Sequence, residues 1–142
     1  MRDNALERKD IGENIVAIKI NRSYRENMTV TELYEVTRGW WKLDIKKARY
    51  AEYVFSVYQG IVKEVYKIDG WFPAGSIPRI TLPNEVAPAD RFEFVGEVAE
   101  QNIREKYIGK SLVNLYRNGE ANPIKYFFTA ETWLKKQERQ GI

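Results

Sequence analysis

Residues Tyr50–Trp71 read YAEYVFSVYQGIVKEVYKIDGW. In the first half, Ala51, Tyr53, Phe55 and Val57 take every second position, with Glu52 and Ser56 among the residues between them. Side chains of a strand alternate between its two faces, so this period of two predicts a half-buried β-strand. Valine, tyrosine and phenylalanine dominate it, and such side chains fit a pleated surface. Ile61–Ile68 predicts a second strand, with Gln59-Gly60 as the connection. There Ile61 and Val62 are adjacent and both apolar, which breaks the alternation. A β-bulge after Gly60 accounts for the break, since glycine tolerates the backbone conformation a bulge needs.

Before this hairpin, Asn14–Ile20 (NIVAIKI) predicts a strand dense in isoleucine and valine. Asn21–Asn27 is a polar turn, and Thr31 is placed to cap a short helix, TELYEVTR, with Leu33, Tyr34 and Val36 facing inward. Gly39 ends that helix, as glycine commonly does. Trp40–Leu43 predicts the start of a strand, and Asp44–Arg49 a basic connection into the hairpin. After it, residues 72–90 hold four of the five prolines and read as a long surface loop. Arg91–Val98 sets Phe92, Phe94 and Gly96 against Arg91, Glu93, Val95 and Glu97, the pattern of another strand. Ala99–Lys106 looks helical, and Tyr107–Ser111 is a turn with a short helix, SLVNLYR, as its continuation. Asn118-Gly119 and Asn122-Pro123 are turn signals ahead of a last strand, Pro123–Phe128. Thr129 caps a final helix whose Ala130, Trp133 and Leu134 are expected to dock on the body. Strands separated by turns, without the spacing of βαβ units, predict an α+β domain. Its core would be a small, mostly antiparallel β-barrel or curled sheet with short peripheral helices. Residues 1–13 read as an arm or short helix, and 14–142 as one domain.

Composition bounds the chemistry. A chain of 142 residues that is 44% hydrophobic and 13% aromatic can bury a real core. No apolar run approaches the roughly 20 residues of a membrane span. The opening MRDNALERKD is charged and lacks the apolar stretch of a signal peptide, so a cytoplasmic protein is expected. With no cysteine and no histidine, disulfides, Cys/His zinc sites and Ser-His or Cys-His nucleophile pairs are excluded. The net charge of +3 permits nucleic-acid contact without requiring it, because 20 acidic residues are mixed among 23 basic ones.

A strand, a short helix ending in TRGWW and then KARYAEYVFSVYQGIVKEVYKI together resemble the PUA-like superfamily of small β-barrels, which includes the ASCH, EVE, YTH and SRA-type domains. In that superfamily a strand rich in alanine and aromatics leads into a strand with glycine, two apolar residues and a valine or isoleucine three further on. Gly60-Ile61-Val62-Lys63-Glu64-Val65 matches this, and the likeness spans residues 14–128. The ASCH signature G-x-K-x-x-E-x-R is absent, which argues against that branch. PUA-like domains bind RNA, or DNA with modified bases, in a groove beside the barrel. The resemblance therefore implies a non-enzymatic nucleic-acid-binding module, a reader that stacks a base on aromatic side chains. Such stacking contributes about 1–3 kcal/mol per base.

The candidate binding residues are Arg38, Trp40, Trp41, Trp71, Lys110, Ser111 and Arg117. Adjacent tryptophans on a strand point to opposite faces, so at most one of Trp40 and Trp41 is core and the other is free to line a groove. Trp71 would be a second wall, and Arg38 would reach a base edge or phosphate. Gly109-Lys110-Ser111 lacks the earlier glycine of a nucleotide-triphosphate loop, since position 104 is arginine. A helix starting near Ser111 would still hold a single phosphate with Lys110. Lys42, Lys46, Lys47, Arg49, Arg79, Arg117 and Lys125 are the basic residues available to converge on a groove. No catalytic residue, metal ligand set or cofactor is read from the sequence. Two other functions stay open: a metal-dependent nuclease, which needs clustered carboxylates, and a protein-interaction domain whose tryptophans are structural.

Overall fold

The computed structural model describes residues 4–83 and 85–140. In chain order its main elements are β1 (Ile15–Lys19), α1 (Val30–Arg38), α2 (Ile45–Ala48), β2 (Tyr53–Tyr58), β3 (Ile61–Pro73), β4 (Phe92–Val98), α3 (Gln101–Tyr107), β5 (Ile124–Phe127) and α4 (Ala130–Gln140). Gln59 and Gly60 both have positive φ, 49° and 78°, as a tight two-residue hairpin turn requires. The bulge lies a little beyond the turn. Ser56 pairs with Glu64 and Val57 with Val62, so Lys63 is the extra residue. β3 continues past Ile68 to Pro73, because its far half finds a second antiparallel partner in β4.

The sheet has five strands in the order β4-β3-β2-β1-β5 and does not close into a barrel. β1 and β2 are parallel; the other three pairings are antiparallel. A parallel pair needs a long crossover, and α1 and α2 occupy that crossover between β1 and β2. The reading of turn-separated antiparallel strands is corrected at this one pairing. The domain is α+β, with an open mixed sheet and short helices on its faces.

Both faces of the sheet are covered. Ile15, Ala17, Phe55, Val57, Val62, Val65 and Phe127 pack with Ile103 and Tyr107 of α3. Val16, Ile18, Val54, Tyr66, Trp71, Phe94 and Ile124 pack with Leu33, Tyr34 and Val36 of α1. The central strands β1 and β2 are therefore buried on both sides, which explains why Ile15–Ile18 is a continuous apolar run. Ser56, expected on a solvent face, is fully buried and shares a 2.8 Å hydrogen bond with the Thr37 hydroxyl of α1.

Several boundaries move. α1 starts two residues earlier than a cap at Thr31 implies and is capped by Thr29. The Thr29 hydroxyl accepts from the Glu32 amide (3.1 Å), and the Glu32 carboxylate accepts from the Thr29 amide (2.9 Å). Trp40–Leu43 is not a strand; Trp41 makes an isolated bridge to Phe92. Within Asp44–Arg49 lies α2, whose first amides donate to the Asp44 carboxylate. SLVNLYR contains only a single 3-10 turn, Val113–Leu115. Trp133 and Leu134 were expected to dock on the body; they stay 50% and 61% exposed, and Trp133 lines a cleft at the β5 edge. The described part of the N-terminal arm is pinned, with Leu6 and Ile11 buried and the Leu6 amide donating to the Ser111 carbonyl at 2.8 Å. Among the described residues no helix is long and apolar enough to cross a membrane.

Candidate functional site

The tail of α1 and the loop between β3 and β4 meet in a buried polar knot. Glu93 of β4 is fully buried. Its carboxylate accepts from the Trp40 indole N–H (2.9 Å) and from the loop amides of Gly75 (2.9 Å) and Ile77 (3.0 Å). Glu35 of α1, also buried, accepts from the amides of Ile80 (2.7 Å) and Thr81 (2.8 Å) and from the Thr81 hydroxyl. Burial pushes the Glu35 carboxyl upward, but the Thr81 and Ile80 hydrogen bonds and the Arg38 charge outweigh it, and the net shift is downward. Residue 39 must be small, because a Cβ there would lie 2.9 Å from the Glu93 Cβ. Arg79 lies over Trp40, its guanidinium carbon 3.8 Å from the ring centroid. It donates to the Gly39 carbonyl and, at 2.7 Å, to the Glu85 carboxylate. The long proline-rich loop is thus fastened by two buried carboxylates and an arginine over Trp40.

This knot changes what the predicted residues do. Arg38 is buried, reaches the Ile77 carbonyl at 3.4 Å and lies over the Tyr34 ring. Trp40 is half-buried with one face covered by Arg79. Trp71 is buried edge-on against Phe94 and cannot wall an open groove. Lys110 and Ser111 sit beside the hairpin turn, where the Lys110 carbonyl accepts from the Val62 amide and Ser111 bridges Ala5 and Ile61. Without a helix beginning at Ser111, the expected phosphate-holding N-terminus is missing. Arg117 is exposed on the loop before β5, where its amide donates to the Glu120 carboxylate at 2.9 Å. Trp40 and Trp71 therefore do not form an aromatic slot, and the seven candidates are not brought together.

Trp41 also faces a larger cleft. It is half-buried, anchored by its indole N–H to the Thr37 carbonyl at 2.8 Å, and lines a cleft of about 680 Å³ with Lys19, Arg22, Lys42, Arg91 and Asn122. A second cleft of about 610 Å³ continues from it, sharing Lys42 and Asn122. Its walls are Leu43, Asp44 and Lys47 on the α2 side and Ile124, Lys125, Tyr126 and Phe128 along the β5 edge, with Arg8 and Trp133 also lining it. Each is within the size range of clefts that hold small ligands. Together they make one groove at the β5 edge of the sheet.

The groove is polarised far beyond the net charge of the chain. Among the described residues seven basic side chains line it, Arg8, Lys19, Arg22, Lys42, Lys47, Arg91 and Lys125, against one carboxylate, Asp44. Asp44 is committed to capping α2. Lys125 is paired with Glu120 at 3.0 Å. Arg22, Lys42, Lys47 and Arg91 have no salt bridge among the described residues. Tyr126 and Phe128 stack with ring centroids 5.4 Å apart, and Lys47 sits over the Tyr126 ring. Burial, with Asp44 adding, pushes the Tyr126 phenol up to about 12, so it stays a neutral donor at ordinary pH. Of the basic residues expected to converge, Lys42, Lys47 and Lys125 do. Lys46, Arg49, Arg79 and Arg117 do not line this groove.

Among the described residues, no three Asp or Glu side chains gather as a metal-binding group. No model of a known protein family matches the chain, and no curated protein or solved structure is detectably similar to it. The likeness to PUA-like barrels thus rests on the sequence motifs alone, and the function has to be argued from the groove itself.

Proposed function

We propose that the chain is a nucleic-acid-binding module that lays a single strand along the groove between α2 and β5. The observation that carries this reading is the pairing of unneutralised cations with aromatic faces in one continuous cleft. Phosphates supply what Arg22, Lys42, Lys47 and Arg91 lack, and base faces match the flat rings of Trp41, Tyr126, Phe128 and Trp133. Single-stranded RNA or DNA fits better than a duplex, because aromatic side chains stack only bases that are already splayed apart. The stacking role falls to Trp41 and the β5 aromatics instead of Trp40 and Trp71. In kind the reading agrees with what the PUA-like resemblance implies, and of the seven candidate residues it keeps Trp41.

The test is fluorescence anisotropy with single- and double-stranded DNA and RNA. Four phosphate contacts give a slope of log affinity against log salt of about −2.8 for a single strand. Raising salt from 50 to 200 mM should then weaken binding about fiftyfold. Absence of binding by all four nucleic acids at the lower salt would refute the proposal.

A further inference from the structure

A third recess, of about 260 Å³, opens from the Trp41 end of the groove, with Ser23, Trp41 and Arg91 common to both. Arg79, Trp40, Gly39 and Glu85 also line it. The Arg79 side chain is only 7% exposed, while its partner Glu85 is 49% exposed. A buried guanidinium needs an anion close by, because an uncompensated buried charge is strongly unfavourable. Here the anion in direct contact comes from an exposed loop position, while the buried Glu35 and Glu93 attract the guanidinium from the interior without an ion pair to it. Glu35 and Glu93, the buried carboxylates nearby, are already occupied by loop amides. The Arg79 Nε has no hydrogen-bond partner among the described residues. Neighbouring Arg91 donates only to the Trp40 carbonyl, at 3.3 Å.

We propose that this recess is a phosphate subsite at the end of the groove, and that Glu85 fills it in the free protein as a stand-in for the ligand's phosphate. The inference rests on the groove reading given above and extends it. Contact with the Trp40 ring and the Gly39 carbonyl holds the Arg79 guanidinium in place, and the nitrogen that now meets Glu85 can donate to a phosphate oxygen instead. An incoming phosphate displaces a half-exposed carboxylate and leaves the buried cation paired throughout. Glu85 therefore lowers the apparent affinity for any strand long enough to reach the recess.

The experiment uses the full chain, a short single-stranded oligothymidylate as probe, and anisotropy at several salt concentrations. Four proteins are compared: wild type, Glu85→Gln, Arg79→Gln and the double variant. A fifth, Lys42→Gln, reports on the groove independently. Removing a partly exposed competing carboxylate should tighten binding by about two- to fivefold. It should also steepen the salt slope by about 0.7, the value of one more phosphate contact. In the Arg79→Gln background the Glu85→Gln change should have no effect, since the carboxylate then shields nothing. Unchanged affinity in Glu85→Gln, or equal tightening with and without Arg79, overturns the subsite while Lys42→Gln still weakens binding and the groove reading stands. If wild type binds neither this probe nor any of the four nucleic acids tested above, both fall together.

Discussion

Replacing Glu93 by glutamine probes how the long loop is fastened. The Glu93 Oε1 accepts from Trp40 and Gly75, and Oε2 accepts from Ile77. Glutamine can place its oxygen where Oε1 lies and keep two of these bonds, but its amino group then faces the Ile77 amide. One charge-assisted hydrogen bond is lost, about 1.5–3 kcal/mol, and a part-buried donor is left without a partner. The expected destabilisation is about 2–3 kcal/mol. For a chain of this length that lowers Tm by about 5–10 °C. Urea unfolding followed by far-UV circular dichroism measures the change, with the m-value expected to stay constant. Limited proteolysis adds a local readout, because cleavage within residues 74–90 should accelerate before the rest of the domain is attacked. An unchanged urea midpoint with unchanged loop cleavage would refute the argument that this carboxylate holds the loop.

Glu35 should make stability depend on pH. Its folded pKa lies below the ordinary 4.5, so its contribution is complete above that value and is lost as pH falls below it. Glu35→Gln should flatten this part of a stability–pH curve, measured by thermal melts between neutral pH and the acid limb. Thr29→Ala removes a reciprocal cap from α1 and should cost about 1 kcal/mol in chemical unfolding. Trp133→Ala should change stability by less than about 0.5 kcal/mol, because the ring is half exposed. The same variant should weaken oligonucleotide binding by about 1–3 kcal/mol in an anisotropy titration.

The hairpin was legible because its alternation and its Gln59-Gly60 turn are local signals, and both appear where the sequence puts them. The parallel β1–β2 pairing was hidden because the crossover helices are short and one was read as a mere connection. Glu93 and Ser56 show a second limit. Strand alternation assigns polar residues to a solvent face, and nothing local reveals that a later loop or an earlier helix will cover them. The same reasoning explains the tryptophans. Adjacent Trp40 and Trp41 were expected to differ in role, and they do, but which ring meets the groove depends on where Arg79 and the β3–β4 loop fold back. Lys42, Lys47 and Lys125 are three of the seven basic residues that the sequence makes available to a groove, and nothing local separates them from the four that do not line it. That Tyr126 and Phe128 would provide the flat faces depends on β5 becoming an edge strand, which is a property of the topology.

The most direct test of the groove compares the salt dependence of single-strand binding in wild type and in the Lys42→Gln, Lys47→Gln double variant. Losing two of four phosphate contacts should reduce the slope from about −2.8 to about −1.4, with weaker binding at every salt concentration. A double variant that binds with the wild-type affinity and slope would contradict the assignment of this groove as the nucleic-acid surface.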